Sequence, residues 1–252
     1  MSIELTVLGC AGSHPGPGRL CSGYLVRTPT TSLLVDAGNG STANLQRFVT
    51  LRDLDAVVIS HRHVDHCIDL IGAYYALRFD PTVGRQIPLY AAPEVHATLT
   101  GLLSSDSDMP FDAVFDHTEV RDGSQVPVGD VHLSFAHSVH AAPTVSTRIE
   151  AAGATLVYSG DSAGGPDLVR IADGADLLLC EATWAGDADD YPPGIHLTAT
   201  GAAEVARDAG VGRLVLTHIA GGTDRDQVLR EAQAVFDGPV DLAEDLAVYR
   251  LP

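Results

Sequence analysis

The residues best suited to chemistry in this sequence are three histidines and an aspartate within six positions, from 61 to 66. They directly follow an apolar run at residues 56–59, which predicts a buried β-strand. Because alternate residues of an extended segment point to the same side, His61 and His63 are expected to act as a pair. Asp65 and His66 follow where a helix is expected to begin. Neutral imidazole and carboxylate are ligands that zinc, manganese and iron accept, so the segment predicts a site for two adjacent metal ions.

The spacing His61-x-His63-x-Asp65-His66 resembles the signature of the metallo-β-lactamase superfamily of binuclear hydrolases. Further segments carry the same resemblance along the whole chain, namely residues 5–12, 33–38, 158–161 and 216–218. The resemblance implies an α/β (α+β) fold, a four-layer αββα sandwich, and two divalent metal ions. Zinc is the expected metal, with manganese or iron as alternatives.

The same resemblance implies three further ligands later in the chain. His140 would complete the first metal site, Asp161 would bridge both metals, and His218 would complete the second site. Asp161 and His218 each follow a predicted apolar strand, whose end presents the polar side chain. His137 is an alternative to His140, but the eight-residue separation between His140 and Arg148 matches the superfamily pattern better.

Two motifs resemble the ribonuclease Z and phosphodiesterase branch of the superfamily. Residues 180–184 contain Glu181, and residues 196–199 begin with His196. In that branch the corresponding glutamate and histidine form a pair that protonates the leaving oxygen, which assigns the acid role to His196 and the orienting role to Glu181. A carboxylate beside an imidazole raises the pKa of the imidazole, which suits a general acid. The alternative role for His196 is to cap the helix that follows it. The resemblance also implies that Asp65, a metal ligand, accepts the proton of the attacking water.

One departure from ribonuclease Z narrows the expected substrate. Those enzymes carry a long arm for transfer RNA between the histidine and the aspartate, whereas His140 and Asp161 are only 21 positions apart here. The chain also has 33 acidic residues against 15 basic ones, and its formal charge of −18 repels polymeric nucleic acid. The compact layout resembles bacterial cyclic-nucleotide phosphodiesterases of this fold. We therefore expect a small phosphodiester substrate, such as 3′,5′-cyclic AMP, and no polymeric nucleic acid partner.

Other activities are open to the same ligands. Lactone or thioester hydrolysis has a different leaving group, so replacement of His196 should matter less there. Ribonuclease Z-like RNA processing is disfavoured by the missing arm and the acidic charge. An iron redox or sensor protein of the same fold would carry two irons, a visible absorption band and no esterase activity.

Substrate contacts are predicted at three residues. Ser13 and His14 lie in a segment rich in glycine and proline, residues 12–19, which is expected to form a flap over the metals; a plain turn-forming loop is the alternative. Arg148 is a candidate for phosphate binding. It lies on a predicted strand beside an acidic residue, so a structural ion pair is an equal alternative.

The candidate site residues must be positioned by the predicted strands and helices. The first part of the chain is rich in predicted strands, and helices are predicted between the later strands. The predicted strands are residues 4–8, 23–26, 32–35, 56–59, 88–90, 131–136, 145–150, 155–158, 176–180, 213–217 and 246–250. The predicted helices are residues 41–48, 68–78, 93–102, 166–172, 199–209 and 225–236. No linker or change in composition divides the chain, so we expect a single domain over residues 1–252, built from two similar halves.

The composition favours a globular protein, because 45% of the residues are apolar and 19% are charged. No apolar run reaches the roughly 18 residues of a membrane span. The four cysteines form no C-x-x-C pair, and the sequence starts without the features of a signal peptide. We therefore expect a cytoplasmic protein with reduced thiols and no membrane partner. A homodimer is expected by analogy with relatives of this fold.

Overall fold

The structure is a computed structural model that describes residues 3–80, 85–103 and 109–252. Within these ranges the chain forms two seven-stranded sheets and a separate two-stranded sheet. The strands are β1 (Glu4–Gly9), β2 (Ala11–Gly12), β3 (Gly23–Arg27), β4 (Ser32–Ala37), β5 (Ala56–Ile59), β6 (Ile87–Ala91), β7 (Phe115–Glu119), β8 (Gln125–Val128), β9 (Val131–Ser138), β10 (Thr144–Ala151), β11 (Ala154–Tyr158), β12 (Leu177–Glu181), β13 (Leu214–Thr217), β14 (Ile219–Ala220), β15 (Val240–Leu242) and β16 (Val248–Arg250). The α-helices are α1 (Ser41–Leu45), α2 (Val64–Cys67), α3 (Asp69–Arg78), α4 (Val95–Leu102), α5 (Pro166–Ala172), α6 (Ala199–Asp208) and α7 (Arg225–Gln233).

The first sheet has the strand order β16-β1-β3-β4-β5-β6-β7. Its strands pair antiparallel from β16 to β4 and parallel from β4 to β7. The central strands β4 and β5 are buried along nearly their whole length, as expected for parallel strands rich in valine, leucine and isoleucine. The residues that follow β5 therefore emerge at the edge where the carboxyl ends of the parallel strands meet.

The second sheet has the order β15-β13-β12-β11-β10-β9-β8. Pairing is antiparallel from β8 to β11 and parallel from β11 to β15. A tight turn joins β10 to β11, with Ala152 at a φ of 49° and Gly153 at a φ of 90°. Because β9, β11 and β13 run in the same direction, the residues that follow them reach the same edge of the sheet.

The main apolar core lies between the two sheets. Leu25 and Val57 of the first sheet share one buried cluster with Leu133, Ile149 and Val215 of the second. Helices α1, α3 and α4 add buried residues to this cluster, and a second cluster joins the second sheet to α5, α6 and α7. The predicted αββα sandwich is confirmed.

Five strands, β2, β7, β8, β14 and β15, lie outside the predicted set. Strand β8 contains Pro127, which has no backbone N–H, and it is tolerated because β8 is at the edge of its sheet. Strand β7 is polar at most positions, so apolar patterning does not mark it. The helix predicted over residues 68–78 is preceded by the separate helix α2, and α4 begins at Val95 and not at Pro93. No helix in the described ranges is long and apolar enough to span a membrane.

Candidate metal centre

A first group of ligands gathers where the ends of β5, β9 and β11 meet. This first ligand group consists of His61, His63, His140 and Asp161. His61 Nε2 and His140 Nε2 lie 2.9 and 3.2 Å from His63 Nδ1. Asp161 Oδ2 lies 3.5 Å from His61 Nε2 and 3.7 Å from His140 Nε2. Four donor atoms thus face one another across a space of a few ångströms.

The second ligand group lies against the first and consists of Asp65, His66 and His218, again with Asp161. Asp65 Oδ2 lies 3.2 Å from His218 Nε2 and 3.6 Å from His66 Nε2. Asp161 Oδ1 lies 3.2 Å from His66 Nε2 and 3.4 Å from His218 Nε2. Asp161 therefore presents one carboxylate oxygen to each group.

These spacings fit divalent metal ions. A tetrahedral ion with bonds of about 2.0–2.1 Å holds its ligand atoms about 3.3 Å apart, close to the separations in both groups. His66 Nε2 and Asp161 Oδ1 are buried and have no hydrogen-bond partner within the described part of the chain. Because buried polar atoms are normally satisfied, these two atoms are suited to bind a cation.

Backbone geometry at the strand ends makes the convergence possible. His218 has a φ of 54° and Gly160, directly before Asp161, has a φ of 60°, so the chain turns sharply after β13 and β11. At Gly38 a Cβ atom would lie 1.9 Å from the backbone oxygen of Asp65. Only glycine at this position lets helix α2 pack against the end of β4.

Asp36, fully buried at the end of β4, holds the segment that carries the early ligands. Its Oδ2 accepts hydrogen bonds from His66 Nδ1 at 2.7 Å, from Ser60 Oγ at 2.8 Å and from the Tyr158 hydroxyl at 2.7 Å. Its Oδ1 accepts the backbone N–H of Ser60 at 2.7 Å. With Nδ1 bonded to Asp36, His66 directs Nε2 to the second ligand group, which is the orientation that a metal ligand needs.

Two histidines of the first ligand group are oriented in the same way. The Ser60 hydroxyl gives its proton to Asp36, so it accepts a hydrogen bond from His61 Nδ1 at 3.1 Å. His140 Nδ1 donates to the backbone oxygen of Ile195 at 2.7 Å. Both rings therefore present Nε2 to the centre.

Burial and charge set the protonation of the ligands. Burial lowers the pKa of His61 well below its ordinary value and favours the neutral ring. Burial alone would raise the pKa of Asp161, but His218, His66 and His61 lower it well below the ordinary value. Burial alone would lower the pKa of His66, but Asp161 and Asp36 raise it. The negative charges of Asp161 and Asp36 would likewise stabilise a metal cation bound at His66 Nε2.

Glu181 and His196, which were predicted to form the acid pair, are in contact beside this centre. His196 Nδ1 lies 2.8 Å from Glu181 Oε1 and 3.9 Å from Asp161 Oδ2. Burial lowers the pKa of His196, but the hydrogen bond and the charge of Glu181 raise it above its ordinary value. The ring of Trp184 stands perpendicular to that of His196, with centroids 5.2 Å apart. The helix-cap alternative does not describe His196, because the cap of α6 is Thr198.

The predicted substrate contacts are placed differently from one another. The backbone N–H of Ser13 donates to Asp65 Oδ2 at 2.9 Å, so residue 13 reaches the centre through its backbone. His14 is exposed. The guanidinium of Arg148 is held by Glu150 at 3.1 Å and by backbone oxygens at the end of α5. The structure thus shows the ion pair that was the structural alternative for Arg148.

His140 and not His137 lies at the metal centre. The His137 side chain is exposed on β9, and its backbone N–H is directed to Asp122. Supporting residues that sequence reasoning missed are Asp36, Ser60, Tyr158 and Thr183. Asp36, Ser60 and Tyr158 lie at or next to the end of a predicted strand, which is the signal that could have identified them, whereas Thr183 follows the predicted strand 176–180 by three positions.

Comparison with known proteins agrees with the fold. The family model of the beta-lactamase superfamily domain matches residues 31–219. The chain belongs to this superfamily and is a metal-dependent hydrolase.

Individual relatives extend the likeness over the full length. The protein ML1173 of Mycobacterium leprae (strain TN) is 40% identical over 95% of this chain and 86% of the relative. The ribonuclease Z of Methanopyrus kandleri is 31% identical over 98% of this chain and 97% of the relative. The probable metallo-hydrolase YhfI of Bacillus subtilis (strain 168) is 29% identical, over 98% of this chain and 99% of the relative. The crystal structure of YhfI superposes with a TM-score of 0.86 at 28% identity and covers 98% of both chains.

Proposed function

We propose that the protein binds two zinc ions and hydrolyses a small phosphodiester, such as the 3′,5′-cyclic nucleotide cyclic AMP. The observation that carries this proposal is the pair of Glu181 and His196 beside Asp161. Hydrolysis of an alkyl phosphodiester must protonate a poor alkoxide leaving group. A histidine held by a buried carboxylate is suited to donate that proton.

The ligand groups have separate tasks in this proposal. Divalent ions bound there would supply the Lewis-acid and water-activating chemistry of binuclear hydrolases. Asp161 presents one oxygen to each group, so its negative charge would offset the repulsion between two bound cations. Asp65, oriented by the backbone N–H of Ser13, accepts the proton that the attacking water releases. His196 Nδ1 stays bonded to Glu181, so Nε2 is the atom that gives its proton to the leaving oxygen.

The size and charge of the chain support a small substrate. The connection between His140 and Asp161 consists of β10, β11 and a short turn, so this part of the chain has no protruding arm. The loop between Trp184 and His196 adds three exposed carboxylates, Asp187, Asp189 and Asp190. A polyanion would be repelled there, whereas a phosphodiester with a single negative charge would be repelled less.

The full-length likeness to a ribonuclease Z supports a second candidate, the processing of RNA. It requires a polynucleotide to approach a chain with a net charge of −18. Lactone or thioester hydrolysis is a third possibility for the same ligands.

The decisive experiment measures hydrolysis of cyclic AMP by purified protein loaded with zinc or manganese. His196→Ala is then compared with wild type on cyclic AMP and on bis(p-nitrophenyl) phosphate. We expect the variant to lose about 10²- to 10⁴-fold on cyclic AMP and little on the nitrophenyl ester, whose leaving group needs no proton. Equal losses on both substrates would contradict the acid role. Intact, metal-loaded protein that leaves cyclic AMP uncleaved would move the search to a precursor tRNA and to lactones.

A further inference from the structure

Buried hydrogen bonds connect the metal-centre residue His218 to His196 through Thr183 and Glu181. His218 Nδ1 lies 2.9 Å from Thr183 Oγ1, which lies 2.6 Å from Glu181 Oε2. The other oxygen of this carboxylate, Oε1, lies 2.8 Å from His196 Nδ1. Thr183 is 2% exposed and Glu181 is 1% exposed, so solvent hardly competes for these bonds.

Every group around the Glu181 carboxylate is a donor. Its Oε1 accepts the backbone N–H of Ser162 at 2.6 Å. Its Oε2 accepts the backbone N–H groups of Thr183 and Leu197, both at 3.3 Å. A backbone N–H cannot reverse its role, so both oxygens of Glu181 act as acceptors.

The direction of the remaining bonds follows from counting protons. Thr183 has a single hydroxyl proton, and it gives this proton to Glu181. The oxygen of Thr183 must then accept a hydrogen bond from His218 Nδ1. We infer that Thr183 fixes the tautomer of His218, with the proton on Nδ1 and the lone pair of Nε2 left to bind a cation beside Asp65 and Asp161.

Thr183 is thus a positioning residue for the second ligand group. Glu181 acquires two tasks, because one oxygen orients His196 and the other sets the direction of the Thr183 hydroxyl. The same arrangement recurs at His61, where the Ser60 hydroxyl lies between the imidazole and Asp36. The inference rests on the proposed two-ion centre but not on the identity of the substrate.

Zinc binding by the full-length, metal-free protein tests this inference without any substrate. Thr183→Val removes the hydroxyl and keeps the shape of the side chain, whereas Thr183→Ser keeps the hydroxyl. Zinc is titrated in competition with a chromophoric chelator. We expect Thr183→Val to bind one of two zinc ions about 10- to 100-fold more weakly than wild type, as for other partners of ligating histidines. The other zinc ion should bind as in wild type, and Thr183→Ser should restore both affinities.

Thr217→Val is the matched control. Thr217 is buried and directly precedes His218, but its hydroxyl is bonded to the Tyr24 hydroxyl at 2.7 Å. We expect this variant to keep wild-type affinity for both zinc ions. Thermal melting of each metal-free variant reports folding, and Thr183→Ala replaces the valine variant if the latter does not fold.

Wild-type zinc affinity in the folded valine or alanine variant would overturn the inference. Equal weakening in Thr217→Val would overturn it too, because the effect would then reflect any buried hydroxyl. A failure of the proposed function looks different. The wild type would bind two zinc ions and cleave no phosphodiester, while the difference between the valine and serine variants at position 183 would persist.

Discussion

The two ligand groups meet the same chemical requirement with different supports. In the second ligand group, both His66 and His218 are buried. His66 Nδ1 donates directly to a carboxylate, and His218 Nδ1 donates to a hydroxyl that is bonded to a carboxylate. In the first, His61 has a support of the same kind at Ser60, but His140 is bonded to a backbone oxygen and His63 is half-buried. The second group thus lies within the hydrogen-bonded interior, whereas the first group is partly exposed at His63. Substitutions in the second group should therefore affect folding as well as metal binding.

The largest effect is expected at the residue that both groups share. Asp161→Ala removes one ligand atom from each group, so zinc should be lost from both. Activity should fall by more than about 100-fold, because removing only an outer partner of a ligand already costs about 10- to 100-fold. Metal content by atomic emission and turnover of the phosphodiester are the measurements. Asp237→Ala, an exposed carboxylate outside both groups, is the control and should resemble wild type.

A paired substitution separates the two groups. His63→Ala and His66→Ala should each abolish tight binding of one zinc ion. Only His66→Ala should also destabilise the metal-free protein, by about 1–3 kcal/mol, because Asp36 loses a buried donor. Denaturant unfolding of the metal-free variants measures this difference. Equal stability of the two variants would contradict the contrast between the groups.

Asp36 allows a graded test of the support behind the second group. Asp36→Asn places an amide among four donors, and we expect about 10- to 100-fold weaker binding of zinc at the second group. Tyr158→Phe removes a single donor, so it should cost about 1 kcal/mol of unfolding free energy and leave zinc affinity nearly unchanged. Chelator competition and denaturant melts measure the two quantities. A larger loss of zinc affinity in the tyrosine variant than in the asparagine variant would refute this ranking.

The smallest effect is expected at Arg148. Its guanidinium joins Glu150 to the end of α5, so Arg148→Ala should lower the free energy of unfolding by about 1 kcal/mol or less. The kcat and KM for the phosphodiester should stay at wild-type values. A raised KM in this variant would restore the phosphate-binding interpretation.

Much of this architecture could be predicted from the sequence. Apolar runs such as residues 56–59 coincide with strands because their burial is continuous, and Pro166 begins α5 as its lack of a donor permits. The spacing of His61 to His66 indicated ligands because few other structures require four such groups in six positions. Strand β8 was not predicted because it contains a proline. A proline is acceptable at a sheet edge, but only the tertiary structure shows that β8 lies at an edge.

The supports of the ligands were harder to foresee. Asp36 lies 30 positions before His66, and Thr183 lies 35 positions before His218, so each contact depends on how the sheets pack. Arg148 illustrates the opposite problem. Its spacing from His140 fits a motif, but its side chain is directed to a helix end that sequence separation does not reveal.

The order of the ligands along the chain has a consequence for biosynthesis. Four of them lie within residues 61–66, on a segment that the ribosome makes early, but Asp161 and His218 come much later. A nascent chain that ends before Asp161 offers only partial sites without the bridging carboxylate. Stable capture of metal must therefore wait until most of the second sheet has been synthesised and has docked on the first. Metal therefore binds late in biosynthesis, and only to a chain whose two halves have packed together correctly.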